Sequence, residues 1–442
     1  CEVTTLPNGT MCPGGVCQGG SCTPVPPGCG DGIRVTSGPG REACDDGNND
    51  PGDACDVDCT PTLLVISDPP APGRAYAPLG VLDGNGMMLF VWVEQVPAPA
   101  ATPGAEPTLE VRVQRYTRTG LRVEMMMDSP FVLEAGIGVG EPLRPSVAGL
   151  ASGWVVTWRS PTVEGVDGEL GGIAYRTVPA AGSTLGPRRQ ANTAERLDQR
   201  ESRVAALDTG FVIAWTDGSD TSGDPGFGVR ARRFDALANP SGAELTVPTT
   251  TAGDQSQPSV SATGALWTVA WTDTSGGTPV VRARRFDGAT ALDAAQVTVA
   301  STWGFALTAS RIDSGTWIGW IDRSTDFGGD VAFAFLDDAA TTMSAPGGAA
   351  TTRVEDGVAI VGGDPTTAIF GYRTDSPLQG LRLDAVGKVV FAPEIMDLRA
   401  RMEGFRQRDL ALLSTTAGLW LSWSDDSVSD STAAVAYLLP WD

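Results

Sequence analysis

The chain has 442 residues, a formal charge of −22 and no histidine. The acidic balance argues against nucleic acid and against an anionic membrane surface, since both call for clustered Lys and Arg. The missing imidazole excludes Ser-His-Asp and Cys-His nucleophile pairs, histidine general bases, and every zinc or haem site built on that ring.

All eight cysteines fall at the start, at Cys1, Cys12, Cys17, Cys22, Cys29, Cys44, Cys55 and Cys59. An even number in a short, Gly/Pro-rich, core-poor stretch reads as a disulfide framework and an oxidising compartment. Zinc is the rival, and the lack of paired Cys-x2-Cys knuckles counts against it. Residues 1–24 make a small two-disulfide module whose pairing has three alternatives. No apolar run approaches the roughly 18 residues of a membrane span, and no signal-peptide pattern is present, so the expectation is a mature, exported chain. Cys1 has two readings. As a disulfide partner it keeps the cysteine count even; as a leading residue it matches a lipid-anchored bacterial lipoprotein.

The second module spans residues 25–61. Its landmarks are Cys29-Gly30-Asp31-Gly32, Cys44-Asp45-Asp46-Gly47-Asn48, Gly52-Asp53 and the closing Cys55-x3-Cys59. These resemble the cysteine-rich repeat of secreted myxobacterial proteins, a resemblance that implies export rather than a chemistry. The acidic run also resembles the loops of thrombospondin type 3 repeats. On that resemblance Asp45, Asp46, Asn48, Asp50, Asp53, Asp56 and Asp58 would offer the hard oxygens Ca²⁺ requires. The alternative is that Asp, Asn and Gly here only build turns. No nucleotide, haem or zinc is expected.

From residue 62 onward the pattern changes to short strands. Val229-Arg230-Ala231-Arg232-Arg233-Phe234-Asp235 recurs residue for residue as Val281-Arg282-Ala283-Arg284-Arg285-Phe286-Asp287, each copy after an apolar strand ending in Trp-Thr-Asp. Similar strands end at Trp92, Trp158, Trp215, Trp271, Trp320, Tyr372 and Trp423. Seven units of about 50 residues suit four-stranded propeller blades. The expected fold is therefore all-β, a seven-bladed β-propeller over 62–442. Its last unit lacks an outer strand, and Leu63-Leu64-Val65-Ile66-Ser67 supplies one. A six-bladed ring is the alternative, because the first spacing is long; a Pro/Ala insertion over 94–103 accounts for that excess.

The loops between second and third strands are acidic, with Asp217, Asp220 and Asp224 in one and Asp322, Asp326 and Asp330 in another. Analogy with other propellers makes this the ligand face. The Asp two positions after Trp215, Trp271 and Trp320 reads as an Asx-turn, and the tryptophans read as packing between blades. Trp303 stands outside that slot and is a candidate contact for a sugar or partner. A sialidase-like glycosidase is the enzymatic alternative. Tyr76 is its only unassigned nucleophile, and Asp313-Ser314-Gly315-Thr316-Trp317 is one residue short of an Asp-box. The leading expectation is non-catalytic: an exported propeller at the outer cell surface or beyond it, binding envelope proteins or its own copies. A carbohydrate-binding propeller comes second.

Overall fold

The computed structural model describes residues 11–12, 15–18, 21–23, 63–67, 69, 73–98, 105–117, 120, 122–123, 130–138, 143–161, 171–193, 198–218, 226–302, 304–324, 330–338, 347–349, 357–362, 367–372, 379–383, 389–391, 407–415, 418–425 and 433–439. Every regular element among them is a β-strand. No helix among them is long and apolar enough to cross a membrane. Met11–Cys12, Gly15–Gln18 and Ser21–Thr23 form a small antiparallel sheet in which Cys17 and Cys22 are cross-strand partners.

From residue 63 on, the described strands form seven antiparallel sheets, six of four strands and one of five. They are numbered one to seven here in the order of their second strands. Those second strands are Met88–Val96, Gly153–Ser160, Gly210–Asp217, Leu266–Asp273, Gly315–Asp322, Thr367–Tyr372 and Gly418–Asp425. Each contains one of the aromatics that marked the repeats. The fourth sheet carries a short strand, Thr290–Ala291, besides the outer strand at Val297–Ala300.

The second strands are apolar at nearly every position because both of their faces are covered. In sheet three, Phe211, Ile213 and Trp215 pack with Val155, Ile173 and Tyr175 of sheet two. The intervening Val212 and Ala214 pack with Val269 and Trp271 of sheet four. Alternate side chains point to opposite faces, so a strand sandwiched between two sheets has no polar side. Burying each large side chain in this way contributes roughly 2–3 kcal/mol. The third strand, Gly228–Asp235, divides differently. Val229 and Ala231 are buried towards sheet four, while Arg230 and Arg232 are half-buried. Arg232 Nη1 donates to the Ala191 carbonyl at 3.0 Å, just beyond the short outer strand of sheet two.

Leu63–Ser67 runs antiparallel beside Ala433–Leu439, with Val65 opposite Val435. Leu64 and Ile66 are buried in a cluster with Trp420 of sheet seven and with Phe90 and Trp92 of sheet one. The first described strand after the cysteine-rich region and the last described strand thus share one sheet.

The first strands are Arg74–Leu82, Ser146–Leu150, Gln199–Leu207, Gln255–Thr263, Gly304–Ile312, Gly357–Gly362 and Gln407–Thr415. Each lies beside the first strand of the next sheet, and Gln407–Thr415 lies beside Arg74–Leu82. Five of them carry a β-bulge near the start, between Tyr76 and Leu79, Arg200 and Arg203, Ser256 and Ser259, Phe305 and Thr308, and Arg408 and Ala411. Four bulges hold a non-glycine residue in the left-handed region: Ala77 (φ 53), Glu201 (φ 56), Gln257 (φ 55) and Asp409 (φ 56). Each such residue costs about 1–2 kcal/mol. Compensation comes from the preceding sheet. The Ala77 N–H donates to Ser424 Oγ at 3.0 Å, and the Gln257 N–H donates to Glu201 Oε2 at 2.9 Å and Thr216 Oγ1 at 3.2 Å. Thr216 and Ser424 each directly follow a repeat tryptophan, so the repeat motif itself supplies the acceptor.

Candidate functional site

Most residues that the repeat made conspicuous are engaged in the scaffold. Trp92, Trp158, Trp215, Trp271, Trp320 and Trp423 are all buried. Arg230, the cross-strand partner of Trp215, donates from Nε to Asp217 Oδ2. Asp217 Oδ1 also accepts from Gln199 Nε2 at 3.3 Å. The same device appears in sheet four, where Arg282 Nε lies 3.3 Å from Asp273 Oδ2, and in sheet one, where Arg112 Nη1 lies 2.8 Å from Glu94 Oε1. The first Arg of the heptapeptide therefore neutralises an acid that closes the neighbouring strand. The expected Asx-turns form at Asp273, which accepts the Ser275 N–H at 2.9 Å, and at Asp322, which accepts the Ser324 N–H at 2.8 Å. At Asp217 the ion pair with Arg230 and the bond from Gln199 are described, while the residue that would close the expected Asx-turn, Ser219, lies outside the described residues. The carboxylate is the last residue of its strand and reaches across to both neighbouring strands.

The other sequence candidates are distributed as follows. Asp330 opens the third strand of sheet five, directly opposite Asp322. Asp313-Ser314-Gly315 is the hairpin turn between the first two strands of that sheet, with Ile312 paired to Gly315. Sheet three has the same turn, where Leu207 pairs with Gly210. Gly210 has φ +150, and a Cβ there would stand 2.0 Å from the Phe234 carbonyl oxygen. Asp220, Asp224, Asp326 and Trp303 lie outside the described residues, as do the calcium candidates 45–58 and Cys1, Cys29, Cys44, Cys55 and Cys59. Among the described residues no group of three or more potential metal-ligating side chains occurs.

Four sheets bring together a set that does not repeat. Asp409 of sheet seven places Oδ1 3.0 Å from Arg144 Nη2, which lies two residues ahead of the first strand of sheet two. Its Oδ2 accepts from Ser424 Oγ at 3.1 Å. Tyr76, at the bulge of sheet one, is half-buried. Burial first, and the Asp409 charge second, push its hydroxyl up to about 12, so at neutral pH it is a protonated donor. In sheet three, Arg203 Nη1 donates to the Ser202 carbonyl at 2.9 Å. Burial, then the nearby charge of Arg144, pull Arg203 down to about 10, and the Glu201 charge opposes this. The guanidinium is still charged at neutral pH. Glu201 Oε2 accepts from Thr216 Oγ1 at 2.6 Å and from the Gln257 N–H at 2.9 Å.

This bulge cluster lies at the end of the first strands that pairs with the ends of the second strands, where Gln199 faces Asp217. It is the same end from which the acidic loops leave. Sequence reasoning singled out only Tyr76 from it. The others carried no repeat signal: aligned on their first strands, the repeats vary at the bulge residues Ala77, Glu201, Gln257 and Asp409 and equally at Leu79, Arg203, Ser259 and Ala411.

No protein-family model matches the chain, and no curated protein matches it. Among solved structures it is similar to the sialidase of Trypanosoma rangeli bound to the inhibitor DANA, at 11% identity and TM-score 0.42, over 71% of this chain and 56% of that one. It is also similar to a Dyadobacter fermentans protein of unknown function, at 13% identity and TM-score 0.46, over 85% of this chain and 98% of that one. A prolyl endopeptidase is matched at 12% identity and TM-score 0.38, over 80% of this chain and 53% of that one. The chain thus spans little more than half of the sialidase.

Proposed function

We propose that the seven sheets are blades of one seven-bladed β-propeller, completed by Leu63–Ser67 as the outer strand of the last blade, and that the protein is a non-catalytic binding subunit of an extracellular or cell-surface assembly. The propeller reading is supported by sheets that pack in chain order and by the pairing of Leu63–Ser67 with Ala433–Leu439. The binding role is carried by the bulge cluster: it offers donors, Tyr76, Arg144 and Arg203, while both of its carboxylates, Asp409 and Glu201, are already committed to hydrogen bonds or an ion pair. A general acid–base pair needs groups that can exchange protons near neutral pH. A tyrosine held near 12 and two guanidiniums do not provide one.

The test is a turnover assay on sialosides and aryl glycosides, run beside light scattering of the purified chain with candidate envelope proteins. The reading expects no turnover and a defined complex with itself or a partner. Hydrolysis that disappears in Tyr76→Phe would instead establish a glycosidase. Carbohydrate binding without turnover is the second reading, favoured by the tyrosine and arginine donors gathered at one end of the sheets; a glycan array distinguishes it.

Residues 1–24 and 25–61 belong to this proposal as disulfide-rich modules that mark an exported chain, with Ca²⁺ held by the aspartates between Asp45 and Asp58. Peptide mapping without reduction tests the disulfides and the state of Cys1, and native mass spectrometry before and after EGTA tests the calcium.

A further inference from the structure

We infer that a second copy of this chain docks on the turns of sheets three and four around Arg233, giving a two-fold symmetric dimer that buries Leu237 and Leu292. This deepens the binding role proposed above, by naming the partner and the face, and rests on it.

Arg115, Arg233 and Arg285 hold one register position, each opposite the residue three before its repeat tryptophan. Two of them bind the turn that follows the third strand of the next sheet. Arg115 donates to the Pro179 carbonyl at 2.9 Å and to the Gly182 carbonyl at 2.8 Å, and Arg285 donates to the Asp337 carbonyl at 2.6 Å. Arg233 reaches the corresponding turn of sheet four, where a Cβ on Gly288 would stand 3.8 Å from its Nη1. Its guanidinium makes no hydrogen bond or ion pair among the described residues. The turn itself supplies the reason: the Gly288 carbonyl already accepts from Trp267 Nε1 at 2.8 Å. A half-buried cation is thus left with donors and no acceptor.

What surrounds Arg233 fits a copy of itself. Asp208 and Asp287, on the adjoining turns, are exposed and likewise make no ion pair among the described residues. Those turns are tied together by the Asp208 N–H to the Gly264 carbonyl at 3.1 Å and the Gly288 N–H to the Ala265 carbonyl at 3.0 Å. A patch holding an unmatched cation beside unmatched carboxylates carries its own complement, since a two-fold axis sets each Arg233 against the carboxylates of the other copy. Apolar surface lies beside these charges. Leu237 is 77% exposed and Leu292 is 50% exposed, in the connections from third to outer strand of sheets three and four. The turn that presents Leu237 is fixed: Asp235 Oδ1 accepts the Leu237 N–H at 2.9 Å and the Asn239 N–H at 2.8 Å, and the Tyr175 hydroxyl donates to the Ala238 carbonyl at 2.9 Å. A turn ordered in advance loses little conformational freedom on docking. The acidic loops leave from the other end of the sheets, where Gln199 faces Asp217. In a chain of −22 that end repels a copy, and the end holding Arg233 is the one left to meet it.

The experiment is analytical ultracentrifugation of the full chain. The wild type should form a dimer, and Leu237→Ser combined with Leu292→Ser should weaken it about tenfold or more. Arg233→Glu should be monomeric, and so should Asp208→Arg combined with Asp287→Arg. An equal mixture of these two should dimerise again, because opposite charges then meet at both symmetry-related contacts. Circular dichroism checks the fold of each variant, and the leucine pair, at exposed positions, carries the test if a charge variant does not fold. A wild type that stays monomeric up to about 0.1 mM, a dimer indifferent to the folded variants, or a folded mixture that fails to associate would overturn the inference. A monomer that still binds an envelope protein leaves the non-catalytic reading standing, whereas turnover of a glycoside would end that reading and leave the dimer intact.

Discussion

Arg230 donates its Nε–H to Asp217, which stands two residues after Trp215 on the neighbouring strand. The pair joins two motifs that sequence showed separately, the repeated Val-Arg-Ala-Arg-Arg-Phe-Asp and the repeated Trp-Thr-Asp. Asp217 is 4% exposed, so its charge is sustained only by such partners. Removing one member takes from the other the charged partner that offsets most of its desolvation.

Asp217→Ala should therefore destabilise the protein by about 3 kcal/mol, the lower end for breaking a buried pair. Arg230→Met in the same chain should recover part of that loss. Urea denaturation of the single and double variants measures both. Additive losses would show that the two side chains are not coupled.

Ile66 and Val65 provide a paired test of the strand at residues 63–67. Ile66 is 3% exposed and Val65 is 47% exposed. Ile66→Asp should cost about 3 kcal/mol or more by burying an unpaired carboxylate, while Val65→Asp should change stability by less than about 0.5 kcal/mol. Similar effects from the two would mean that this strand is not docked as described.

Ala77 has φ 53, and glycine adopts that conformation without a Cβ clash. Ala77→Gly should leave stability unchanged or raise it by up to about 1 kcal/mol. The neighbouring Ala75 is fully buried, and its replacement by glycine should lower stability. Thermal melts of the two variants should move in different directions.

Tyr76 should ionise about two pH units later than an ordinary tyrosine, since its hydroxyl is raised from 10.0 to about 12. A folded-state pKa above the unfolded value makes a contribution to stability that is complete below pH 10. That contribution declines as pH rises through about 12. Arg203 works in the opposite sense: its value is lowered from 12.5 to about 10, so losing its proton relieves an unfavourable charge over the same alkaline range. Absorbance at the phenolate band isolates the tyrosine. Wild type minus Tyr76→Phe should give a difference titration centred near pH 12; one centred near 10 would refute the buried environment.

Sequence alone determined the β class, the repeat and the position of each second strand. A strand buried on both faces must be apolar at successive positions, and Phe211 through Trp215 display that requirement directly. It also placed Leu63–Ser67 beside the last strand, because a sheet missing its outer strand and an apolar strand missing a sheet complement one another. Tertiary structure alone decided what the polar residues do. Asp217 looked like a loop carboxylate and is instead paired with Arg230, a contact set by cross-strand register. Tyr76 and Asp409 are hundreds of residues apart, and the carboxylate bears on the hydroxyl only because the last sheet packs against the first. Repetition reveals what a fold needs many times. A site assembled once, from positions where the repeats differ, depends on distances in space that no spacing along the chain records.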